Sequence, residues 1–317
     1  MKAWLGPLAP ALCLVLLGAL PHPGEGSLGS ELEPRAWSRT NPPLESGVPV
    51  GDGSSLRLRS PLAPMVRIPE GRFVMGSDEQ AVVAALADCV REPYGNRCTP
   101  SIFGDEMPER VIRLSSYWLD RYEVSVAEYE RCVALGRCRE RPSNEGTRRF
   151  EHPALPVSMV SWDDARDYCV FRGLRLPTEA EFERAARGAR GRRYPWGELF
   201  NRRAANHGRF GWDVTDSTDG FAELAPIGSF PAGVTPDGIH DLAGNVAEWV
   251  QDRYVARYDP GDRVDPQGPG VGSASVRVVR GGSYTTGRSL LRGAARSFAE
   301  PSERRPSLGF RCARSEK

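Results

Sequence analysis

Residues 156–188 read PVSMVSWDDARDYCVFRGLRLPTEAEFERAARG, and this stretch announces two helices by their ends alone. Thr178 with Glu181 fits a capping box, in which each side chain satisfies a backbone donor that the first helical turn leaves free. Ser161 with Asp164 is a weaker form of the same device. The spacing predicts a helix with Trp162, Ala165, Tyr168 and Cys169 on one face, ended at Gly173. A second should run from Glu179 to about Arg187 and stop at Gly188. Upstream, Ser125 and Glu128 cap a further helix. All are short, and the sections between them are dense in Gly, Pro and Trp. The expectation is an α+β domain of modest regular structure, held by disulfides and buried aromatic side chains.

Toward the N-terminus, residues 66–77 (VRIPEGRFVMGS) look like a strand, a turn and a second strand that ends at Gly76. The section from there to about Pro108 reads as an insertion with one short helix. Residues 27–64 are rich in Ser, Pro, Gly and charge without apolar periodicity, and read as a flexible linker. Before them, Lys2 and the apolar run LGPLAPALCLVLLGAL suggest a secretory signal over residues 1–26, and Cys13 sits in too poor a context for a lipid anchor. No later segment is apolar enough to span a bilayer. The expected product is a soluble exported domain over residues 65–314, periplasmic or extracellular.

Export changes the reading of cysteine. Removal of the signal leaves Cys89, Cys98, Cys132, Cys138, Cys169 and Cys312, an even set that favours disulfides in an oxidising compartment. Cys132 and Cys138 can staple a short loop, as can Cys89 and Cys98, and Cys169 with Cys312 would then tie the middle of the chain to its end. Other pairings stay open at this point. The formal charge is +1, which offers nothing to nucleic acid or an anionic membrane. The only lysines are Lys2 and Lys317, so a Schiff-base lysine inside the domain is excluded. His152, His207 and His240 share no metal-ligand spacing.

The stretches IPEGRFVMGS, DRYEVSVAEY, residues 156–188, RRYPWG, DGIHDLAGNVAEWVQD, RGGSY and LGFRC occur in that order along nearly the whole domain. In this ordered series the chain resembles the formylglycine-generating, or sulfatase-modifying factor, family. The resemblance implies a compact fold related to C-type lectins, with Cys169 and Cys312 as the family's bridge. A second family bridge would need a cysteine where Gly293 stands, so the two local pairs would be this chain's own. It also implies a substrate groove lined by the RGGSY turn, with Ser283 at the position of a groove serine. The thiol-oxidising members hold copper on two cysteines after this turn; those positions fall on Thr286 and Leu291. Copper(I) favours soft thiolates, so copper and formylglycine formation are not expected.

Two segments match the family's calcium ligands. One combines the side chains of Asp241 and Glu248 with the carbonyls of Gly244 and Val246. The other combines Asn206 and Asp219 with the carbonyls of His207 and Phe221. Mixed hard oxygen donors suit calcium in a structural role. Arg304 and Arg305, beside Glu300 and Glu303, read as a solvated loop in preference to a peptide-binding rim. Two functions follow as expectations. In the first, the domain binds an exported protein, peptide or glycan without chemistry. The alternative is an oxidoreductase of the same family acting on a protein or small molecule with a metal supplied by a partner. Family members joined to an iron-binding helical domain make sulfoxides, but the short N-terminal region here holds no histidine cluster.

Overall fold

The computed structural model describes residues 64–316 apart from 143–149, 210–215, 260, 262 and 271–274. The predicted signal and all but the last residue of the predicted linker lie outside the described residues.

In chain order the elements are β1 Met65–Ile68, β2 Gly71–Met75, α1 Glu79–Val90, β3 Arg110–Leu114, β4 Tyr117–Asp120, α2 Val126–Ala134, α3 Trp162–Phe171, α4 Glu179–Arg187, β5 Ala247–Arg253, β6 Arg277–Arg280, β7 Arg296–Ala299, β8 Leu308–Gly309 and β9 Ala313–Ser315. The mixed α+β character and sparse regular structure expected from the sequence are present. The cap signals set the helix starts: Ser125, Ser161 and Thr178 each accept from the third helical amide, and the partner carboxylate bonds back. Gly188, at φ +65°, ends α4 in a conformation that L side chains rarely adopt.

The strands form three small sheets, ordered β1-β4-β9, β2-β3 and β7-β6-β5-β8. β1 and β2, adjacent in sequence, therefore lie in different sheets; β1 pairs antiparallel with β4 and β2 with β3. The insertion carries more helix than expected, with α1 the longest at 12 residues. The last turn of α1 is stapled to the chain that follows by Cys89–Cys98. Cys132–Cys138 closes the loop after α2, and Cys169–Cys312 joins α3 to the C-terminal segment across 143 residues. These are the pairings set out above.

Two apolar cores meet on β5. One packs α4 residues Phe182 and Ala185 against β2, β3 and β4; the other gathers Tyr129, Tyr168, Cys169, Trp249 and Phe310 around the long disulfide. α4 is buried on every side although its sequence, EAEFERAAR, is mostly charged. Its carboxylates are matched largely from distant segments. Glu183 receives Arg280 at 2.7 Å, Arg187 at 2.8 Å and the Gly76 amide at 2.7 Å, while Glu179 receives Arg296 at 2.7 Å and Arg280 at 2.9 Å. Pairing of this kind is what makes buried charge tolerable, since an unpaired ion in the interior costs several kcal/mol.

The tail departs from its expected solvated character. Arg304 reaches the buried Asp164 carboxylate at the N-terminal turn of α3 and donates to the Met159 carbonyl at 3.2 Å. Arg305 pairs with Glu303 at the surface.

Candidate functional site

The RGGSY turn leaves β6 at Arg280 with Gly281 at φ +87° and Gly282 at φ +67°. A side chain at Gly281 would meet the Leu242 carbonyl at 3.2 Å and the Phe182 ring at 3.3 Å. The turn is thereby seated against α4 and the 241–246 loop. The Gly244 amide donates to the Gly281 carbonyl at 3.0 Å, and the Tyr284 amide to the Asn245 carbonyl at 2.9 Å. Asn206 joins the same unit, because the Asn245 amide donates to the Asn206 carbonyl at 2.9 Å and Asn206 Nδ2 to Asn245 Oδ1 at 3.0 Å. Three stretches that the sequence offered as separate sites are thus one hydrogen-bonded loop cluster.

Within it, Ser283 is turned inward. Its hydroxyl lies 2.9 Å from that of Thr285 and accepts the Thr285 amide at 3.2 Å; neither partner is a general base. The Thr286 hydroxyl is used by its own turn: it accepts the Ser283 amide at 2.9 Å and donates to the Ser283 carbonyl at 3.0 Å. Leu291 is wholly buried, packed with Tyr194, Ala205 and Ala243, with Trp196 and Phe200 alongside. Both positions converge on Gly282, where an added Cβ would lie 2.6 Å from Thr286 Oγ1 and 3.0 Å from Leu291 Cδ2. A pair of positions facing one point in this way could hold a single ion between them, but here one side supplies a committed hydroxyl and the other a hydrocarbon.

The possible cation ligands fall into two groups. Asn206 Oδ1 is buried without a hydrogen-bond partner, and nearby Asp219 accepts the amides of His207 at 2.7 Å and Phe221 at 2.9 Å. That loop offers a free carboxamide oxygen and a carboxylate. In the second group the Glu248 carboxylate is clamped by Arg311 at 2.7 Å through both oxygens, and Arg311 also donates to the Asp241 carbonyl at 3.2 Å. The Asp241 carboxylate accepts the Gly228 amide at 2.7 Å, and burial pushes its pKa upward. Gly244 and Val246 contribute backbone at the same turn; the Val246 amide donates to Glu123 at 3.2 Å. Among the described residues, no three His, Cys, Asp or Glu side chains are arranged to hold a metal ion. A cation in these loops would therefore rest on carbonyl and carboxamide oxygens as much as on carboxylates.

Glu123 is the member of this cluster that the sequence did not single out. It is buried, takes Asn245 Nδ2 at 3.0 Å as well as the Val246 amide, and is driven well above the usual carboxylate range by burial, then by Asp241 and Glu248. The only sequence signal was its place in DRYEVSVAEY. Trp196, stacked on Tyr194, donates its Nε1 to the carbonyl of Leu199 at 2.9 Å, and the Leu199 side chain is 82% exposed.

Comparison with known proteins agrees with this architecture. The bovine (Bos taurus) formylglycine-generating enzyme is 31% identical over 97% of this chain and 88% of its own length. The bovine protein named inactive C-alpha-formylglycine-generating enzyme 2 is 30% identical over 78% of this chain and 87% of its own. The solved structure of PvdO from Pseudomonas aeruginosa superimposes with a TM-score of 0.63 at 25% identity, covering 80% of this chain and 94% of that one. A family model described as the sulfatase-modifying factor enzyme 1-like domain matches residues 54–316. On the ordered motifs, the loop cluster they build and this match, the chain belongs to the sulfatase-modifying factor enzyme 1-like family.

Proposed function

We propose that this chain is an exported binding member of the family, whose loop cluster around Gly281 and Gly282 recognises a peptide, glycan or protein surface without copper chemistry. The observation that carries this reading is the state of the two positions that converge on Gly282. Thr286 has committed its hydroxyl to its own turn, and Leu291 brings no donor atom. Copper(I) requires soft ligands, and this pair supplies none. Inactive members of the family occur, as the name of the bovine relative records. Export is supported by the signal-like N-terminus and by three disulfides, which persist in oxidising compartments. No helix among the described residues is long and apolar enough to cross a membrane.

Calcium completes the proposal as a structural ion. Asn206 Oδ1, Asp219 and the carbonyls of His207 and Phe221 would hold one ion, and the orphaned Asn206 oxygen is the feature that favours it. Asp241, Glu248 and the carbonyls of Gly244 and Val246 would hold a second, sharing Glu248 with Arg311. The ions would cross-link loops that have little regular structure of their own.

The decisive test is to incubate the mature chain, loaded with copper, with a cysteine-containing sulfatase-type peptide and to weigh the product. An unchanged peptide mass is expected; a mass loss that marks aldehyde formation would return the chain to the oxidising branch. For calcium, thermal melting is compared with and without chelator. Ion at about a hundredfold over its Kd should stabilise by about 2.7 kcal/mol, and an unchanged midpoint would remove calcium from the proposal.

A further inference from the structure

A cavity of about 320 Å³ lies between the start of α4, the end of β5 and the stretch after it that carries Val255, Tyr258, Pro266 and Pro269. Its walls are mainly apolar: Met75, Ala180, Val255, Pro266, Pro269 and the ring of Tyr258. One wall carries Arg110, which is buried, stacks its guanidinium 4.3 Å from the Tyr258 ring centre and donates to the Asp259 carbonyl. Other buried arginines, Arg280, Arg292, Arg296 and Arg311, each close on a carboxylate. Arg110 makes no ion pair among the described residues, and its Nε has no hydrogen-bond partner.

The acidic groups at the cavity do not neutralise it: the exposed Asp259 carboxylate accepts the Gly261 amide at 2.8 Å and makes no ion pair with Arg110. Glu179 is saturated by Arg280, Arg296 and the Tyr258 hydroxyl. Asp252 accepts the Glu179 amide at 2.8 Å, and burial together with neighbouring Glu179 pushes its carboxyl up to about 8. Near neutral pH it therefore stands as an uncharged carboxylic acid, able to donate a hydrogen bond. Arg257 adds a further cation at the exposed rim.

We propose that this cavity binds a small organic monocarboxylate, its apolar body against Met75, Val255 and the two prolines and its carboxylate against Arg110. A lone buried guanidinium seeks one anionic partner, and apolar walls favour a ligand with hydrocarbon to bury. A compact dianion such as phosphate would leave those walls unused and meet only one buried cation that lacks a carboxylate partner, since Arg296 is held by Glu179. The site is independent of the loop cluster proposed for binding above.

The test uses 4-fluorobenzoate, observed by fluorine NMR during titration into the purified mature chain. Saturable binding is expected, weakened at least about tenfold in Arg110→Gln, which can still donate to the Asp259 carbonyl. Val255→Phe, which narrows the cavity from a half-buried position and leaves every charge in place, should weaken binding as well. This second variant decides the matter if Arg110→Gln fails to fold. The neutral isostere 4-fluorobenzyl alcohol and inorganic phosphate should each bind at least about tenfold more weakly. Absence of saturable binding, affinity retained in either folded variant, or equal affinity for the alcohol or for phosphate would overturn the proposal.

Discussion

Leu291→Ala separates a core residue from a groove residue, and its cost can be worked from the packing. The side chain is fully buried, and its neighbours include Ala205, Ala243 and the unsubstituted Gly282, none of which can lean into a vacated volume. Tyr194 is held by its hydroxyl on the Arg288 carbonyl at 3.3 Å and by stacking on Trp196. Buried Leu→Ala changes cost about 2–5 kcal/mol, and the cost is largest where the surroundings cannot collapse. This site belongs in the upper part of that range, roughly 3–5 kcal/mol. Urea denaturation of the mature chain, followed by tryptophan fluorescence, should show a lower midpoint at unchanged slope, since the surface exposed on unfolding barely alters. A loss below about 0.5 kcal/mol, the size of an ordinary surface substitution, would refute the assignment of Leu291 to the core.

The convergence on Gly282 has its own test: Thr286→Cys with Leu291→Cys should gain copper(I) binding under reducing conditions, measured by competition with a colorimetric chelator, and no gain in a folded variant would show that the positions do not face one point. Asp252→Asn keeps an acceptor for the Glu179 amide and removes the titration. Because the folded pKa of about 8 lies above the unfolded 3.8, the protonated carboxyl stabilises fully below about pH 4, and that contribution drains away as pH rises toward 8 at up to about 1.4 kcal/mol per pH unit. The variant should accordingly gain on the native chain across that window in denaturation midpoints; a difference that does not vary with pH would contradict the assignment. Removing Cys169–Cys312 by paired alanine substitutions should cost up to about 5 kcal/mol in the chain-entropy model, against about 2 kcal/mol for Cys132–Cys138, because the closed loops span 143 and 6 residues. Equal losses would place the stabilisation in native packing.

Local chemistry was readable in the chain wherever one short segment satisfies itself. Ser125, Ser161 and Thr178 fixed helix starts because a capping box is complete within four residues, and Gly188 fixed an end because its φ of +65° suits few other residues. Cys132–Cys138 was likewise accessible from spacing. The strand, turn and strand of residues 66–77 were legible as elements, but not their separation into two sheets, since each partner strand lies about 35 residues or more downstream. Arg304 was misjudged for the same reason: its partner Asp164 lies far away in the chain.

The sequence by itself determined the family, the helix caps, the cysteine set and the absence of thiols at positions 286 and 291. Tertiary structure alone decided what fills the vacated chemistry. It buries the charged helix α4 by bringing Arg280 and Arg296 to Glu179 and Glu183, draws Glu123 beneath the Asn245 turn, and turns Leu291 into core. The physical reason is desolvation. A side chain's charge state and role depend on how much water is removed and which distant partner replaces it, and neither is encoded within one segment.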